Sequence, residues 1–157
     1  MIFSVLLLCF LIGCVAGLRS MMAPAIICAA AYLRWVHLEG TPVAFLTYPV
    51  TLWIFTFLAI SELVVDKLPQ TPARTAPVGL VARILTGGLC GAALAASGEK
   101  TLIAGALLGA IGGVVGAFAG YRIRHGLVTH MELPDFVVAV IEDLLAISGG
   151  LFIASRM

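Results

Sequence analysis

Six apolar runs, residues 2–18, 20–36, 43–66, 78–97, 101–121 and 135–155, take up most of this 157-residue chain. Each comes near the ~20 mostly apolar residues that a helix needs to cross a bilayer. A single water-facing core could not hide so much apolar surface, so the fold class expected is an all-α, polytopic transmembrane helical bundle. Charged residues make up 11% of the chain and hydrophobic ones 62%, whereas a soluble domain carries roughly a quarter charged residues. Mean hydropathy is +1.15. No long polar stretch marks off a second domain, so residues 1–157 read as one transmembrane domain with the lipid bilayer as its main partner.

Other classes find little support. A net charge of +1 without a basic patch argues against nucleic acid as a partner. Cys9, Cys14, Cys28 and Cys90 lie inside apolar runs without a C-x-x-C pair, so they read as small hydrophobic side chains; no metal and no cofactor is expected. Leu11-Ile12-Gly13-Cys14 loosely resembles a lipoprotein cleavage box, but no Lys or Arg precedes Arg19, as a secretory signal would require. The first run is therefore expected to stay as a helix.

The second run is short, with Arg19 and Pro24 at its start, and could span the membrane, half-span it or lie at its surface. With six spans, Arg19, Lys67, Arg74, Arg122 and Arg124 fall on one side and Arg34, Lys100 and Arg156 on the other. The positive-inside rule then puts both termini outside the cytoplasm; with five spans the two sides nearly balance. A proline-rich loop, 68–77, divides the chain into halves 1–67 and 78–157. Three runs per half would give the inverted-repeat layout of many transporters. "LIGCVAG" resembles "LTGGLCG", "AAYLRW" resembles "AGYRIR", and "FLAISELVV" resembles "VVAVIEDLL", in the same order. A rival match, "GCVAGLR" with "GAFAGYR", implies a different duplication.

Gly105, Gly109 and Gly113 form one small-residue row on a helix, and Gly112, Gly116 and Gly120 a second. Such rows let helix backbones approach closely, either inside the bundle or between copies in a homo-oligomer.

The charged residues inside apolar runs are the candidates for function. Glu62 and Asp66 share a helix face. Counted from Pro49, Glu62 lies roughly 20 Å along its helix; counted from Pro134, Glu142 lies roughly 12 Å along its own, and Asp143 follows it. Acids so placed are costly unless they face the bundle interior, pair with a cation or line a watery path. Arg19, Lys67, Arg83 and Arg122 are the candidate partners, with Arg19 and Arg122 ending helices on the side towards which Glu62 and Asp66 point. Structural ion pairs between helices are the competing reading. His37, His125 and His130 show no ligand spacing, and Ser20, Ser61 and Ser148 no nucleophile context, so no enzymatic chemistry is expected.

At Gly17-Leu18-Arg19-Ser20 and at "SELVVDKLPQTPARTAP", residues 61–77, the chain resembles a widespread family of small bacterial integral-membrane proteins classed as a domain of unknown function. Their pattern joins a Gly-Leu-Arg-Ser/Thr turn to a Glu-Leu-x-x-Asp-Lys-Ile/Leu-Pro segment and a glycine-rich helix pair. The resemblance implies that Arg19, Glu62, Asp66 and Lys67 belong together, and that the protein sits in a bacterial cytoplasmic membrane. It implies no activity. From the residues, the expected function is a small transporter or channel for an unidentified solute or ion. Its polar site would combine Arg19, Glu62, Asp66, Glu142 and Asp143, with Ser20, Lys67, Arg83 and Arg122 in support. The alternative is a non-transporting scaffold held together by the same charges.

Overall fold

The computed structural model describes residues 2–66, 76–130 and 134–157, and all of its regular structure there is helical. Six α-helices follow in order: α1 (Ile2–Leu18), α2 (Met22–Tyr32), α3 (Pro49–Val65), α4 (Pro77–Ser97), α5 (Leu102–His130) and α6 (Asp135–Ala154), with a 3-10 turn at Ala44–Thr47 before α3. Residues 67–75, Lys67 and Arg74 among them, lie outside the described residues.

Proline sets three of the starts. Pro49 and Pro77 begin α3 and α4, where a missing N–H leaves no helical bond unmade. Tyr48 and Ala76 before them are extended, with ψ near 136° and 141°, as the clash with the proline ring demands. Pro134 takes the N-cap position before α6, itself extended with ψ near 128°. The third apolar run is therefore split at Pro49 instead of running unbroken from residue 43. α5 instead runs nine residues past the expected end at 121, because no proline interrupts it and arginine favours helix.

α4, α5 and α6 are long and apolar enough to cross a membrane; α1, α2 and α3 are shorter apolar helices, and α2 has 11 residues. Outward faces are mainly apolar, with Trp53 72% exposed and Phe57, Ile103, Phe136 and Leu144 similarly uncovered; Arg122, His125 and His130 are exposed on the last turns of α5. Such a surface suits lipid and would aggregate in water.

The closest packing joins α5 to α4 and to α1, and these three form the tightest part of the bundle. Glycine makes it possible. A Cβ placed on Gly109 would run into the main chain of Gly87 in α4, one on Gly112 into Phe10 of α1, and one on Gly116 into Cys14. Gly13 and Gly17 return the contact from α1. Both glycine rows of α5, including Gly105, Gly113 and Gly120, are buried within the chain, so they are occupied by its own helices. α2 packs chiefly against α3 and α6. Cys9, Cys28 and Cys90 are buried and free, and join the apolar core with Ile12, Ile27 and Leu94.

Successive helices alternate in direction. One end of the bundle gathers the ends of α1, α3 and α5 with the starts of α2, α4 and α6. At the other end the His37 amide donates to Ser97 Oγ at 3.0 Å, joining the residues after α2 to the end of α4.

Candidate functional site

Arg19 follows the last residue of α1, and its own amide donates to the Val15 carbonyl at 2.9 Å. A cation here also complements the negative end of the α1 dipole. Its side chain turns inward until only 1% of the residue is exposed. Nη1 lies 2.8 Å from Asp66 Oδ2 at the end of α3, and Nη2 pairs with Asp143 Oδ1 of α6. One buried guanidinium thus holds two helices through two carboxylates. Its Nε has no hydrogen-bond acceptor among the described residues.

Asp66 Oδ2 is shared with a second arginine, Arg124 of α5, whose Nη1 lies 3.0 Å away. Arg124 grips Asp135 with two parallel bonds, Nε to Oδ1 at 2.8 Å and Nη2 to Oδ2 at 2.7 Å, the geometry that suits guanidinium to carboxylate best. Glu142 Oε2 lies 3.9 Å from Arg124 Nη1. Glu142 and Asp143 are each 7% exposed. Charges so far from water need partners, because an isolated one costs several kcal/mol, and these are paired across α1, α3, α5 and α6.

Glu62 does something different. Its Oε1 accepts from the Ser20 amide and hydroxyl, both at 2.8 Å, and its Oε2 accepts from the Met21 amide at 2.8 Å. Met21 is the N-cap of α2 and makes no side-chain cap bond of its own. The start of α2 is therefore capped from another helix, by a carboxylate placed where the helix dipole favours negative charge. Arg83 plays the reverse part: from α4, its Nε donates to the Gly17 carbonyl at 2.9 Å near the end of α1, and its Nη1 to Gly79 at 3.0 Å.

Arg19, Asp66, Glu142 and Asp143 thus meet at one end of the bundle, with Glu62, Ser20 and Arg83 beside them. Arg122 is exposed; the cation that α5 brings to the cluster is Arg124, two residues on. Arg124 and Asp135 were not among the residues singled out from sequence. A helix ending at 121 would not carry Arg124; α5 continues through it and brings its guanidinium to Asp135 at the start of α6. Among the described residues no three His, Cys, Asp or Glu side chains gather as a metal group. His125 stacks on Tyr121, with ring centres 6.0 Å apart.

Six helices, three of them able to cross a membrane, around a buried charged cluster define a membrane-associated helical protein. The chain belongs to the family described as a domain of unknown function, DUF4126, which it matches over residues 6–155. No curated protein and no solved structure gives a significant match.

Proposed function

We propose that this protein is a small integral-membrane transporter or channel in which the Arg19 cluster is the ion-handling site. The observation that carries the reading is the division of Arg19 between Asp66 and Asp143, on two different helices. Arg19 holds both carboxylates at once, one on each terminal nitrogen, so a movement that draws either helix away leaves a buried carboxylate that takes up a proton or cation. The glycine-packed group α1, α4 and α5 forms a firm frame, and α3 and α6 are joined to that frame at this end through ions. Rocking of α3 and α6 against it would open and close the path. In this reading all six helical segments traverse the membrane, in two inverted halves. The cluster end, with Arg19, Arg83, Arg122 and Arg124, faces the cytoplasm by the positive-inside rule.

The alternative is a non-transporting scaffold whose charges only tie helices together, favoured by how completely Arg124 is engaged by Asp135. Proteoliposomes holding wild type, Asp143→Asn or Glu142→Gln separate the two. Transport predicts cation or proton flux in wild type that either substitution abolishes while the folded protein survives in detergent. Absence of flux in wild type, with both variants losing their fold, would establish the scaffold.

A further inference from the structure

At the end of the bundle remote from the ionic cluster, the end of α2, the loop after it and the start of α3 line a half-open cavity of about 280 Å³. Tyr32 and Pro49 bring exposed apolar surface to it over a floor of buried Val36 and Leu38, and Arg34, His37 and Glu39 bring ionisable groups. Arg34 and Glu39 make no ion pair among the described residues. One cavity is therefore lined by a positive and a negative group that do not cancel each other.

Arg34 occupies an unusual place. The Trp35 amide donates to Ala30 at 2.8 Å and the Arg34 amide to Ala31 at 3.1 Å, which is the Schellman ending of a helix. In that motif the residue at Arg34 takes positive φ, here 60°, and glycine fills it without the steric cost that a side chain incurs. Arginine accepts that cost and in return sets a guanidinium at the cavity. Around it Tyr32, Trp35 and Tyr48 are exposed, the residues that favour the headgroup layer of a bilayer.

We infer that this cavity binds a small zwitterion carrying an ammonium and a phosphate, the chemistry of ethanolamine phosphate, whether free or as a phospholipid headgroup. The Arg34 fork matches phosphate oxygens, Glu39 takes the ammonium, and Tyr32 and Pro49 receive the short carbon link between them. This site is separate from the Arg19 cluster and stands whether or not that cluster conducts ions.

The test uses the full chain purified in a phospholipid-free detergent, titrated with O-phosphoethanolamine and with dihexanoyl-phosphatidylethanolamine and followed by calorimetry. Saturable binding of either probe is expected, weakened about tenfold or more in both Arg34→Gly and Glu39→Gln. Binding of free phosphoethanolamine identifies a soluble ligand; binding of the lipid alone identifies a headgroup held in the bilayer. Dihexanoyl-phosphatidylglycerol, which lacks the ammonium, should bind wild type no better than the zwitterion binds Glu39→Gln. Arg34→Gly should melt at or above the wild-type temperature, so that lost binding is not lost fold. No saturable binding of either probe to wild type, or binding indifferent to both substitutions, overturns the assignment.

Discussion

Glu62 and Arg19 share one end of the bundle, and substituting them should have different consequences. Glu62 accepts three hydrogen bonds with two oxygens. In Glu62→Gln one of those oxygens becomes a donor facing another donor, so unfolding in detergent should show a loss of about 1–3 kcal/mol. The α2 start should loosen while the Arg19 pairs persist. Arg19→Met takes the guanidinium from Asp143 and leaves Asp66 to Arg124, and should cost about 3–5 kcal/mol. Adding Asp143→Asn should recover part of that loss, because the carboxylate that Arg19 held on α6 is then neutral. If the double variant is no more stable than Arg19→Met, the pairing of Arg19 with Asp143 is wrong. Arg19 was conspicuous in sequence because a charge inside an apolar run is expensive. Its partners were not, because sequence distance says nothing about which helix ends meet.

At the scale of elements, the glycines of α5 separate packing from propensity. Alanine is the better helix former by about 1 kcal/mol, yet Gly109→Ala must push α5 off α4 and should destabilise by about 1–3 kcal/mol or more. Gly126, on the same helix, has nothing within reach of an added Cβ, so Gly126→Ala should stabilise by up to about 1 kcal/mol. Thermal unfolding of the two variants side by side checks both signs. α4 ends in the same motif as α2, with the Lys100 amide on Ala95, the Glu99 amide on Ala96, and Glu99 at φ 54°. Glu99→Gly should therefore raise stability by about 1–2 kcal/mol. Helix starts at Pro49 and Pro77 could be read from sequence, since proline acts within a residue or two. The end of α5 could not, because Arg122 and Arg124 suit a helix and a solvated loop equally well.

For the whole molecule, the division between a glycine-packed frame and the helices tied to it by ions makes a regional prediction. Hydrogen exchange in detergent should find α1, α4 and α5 slow. In Arg19→Met, exchange should rise in α3 and α6 and stay unchanged in α4 and α5; a uniform rise across all six helices would mean that no such division exists. The frame draws α1 from one half of the sequence and α4 and α5 from the other, so the tightest packing cuts across the halves that the proline loop marks out. By itself the sequence determined the helical class, the apolar outward surface, the proline-set starts and the presence of costly charges, because each follows from composition or from interactions a few residues long. Only the tertiary structure decided that Glu62 caps α2, that Asp66 and Asp143 divide Arg19, and that Arg124 takes the place expected of Arg122. Those outcomes depend on which helix ends meet, and the residues concerned lie from about forty to more than a hundred positions apart in the chain.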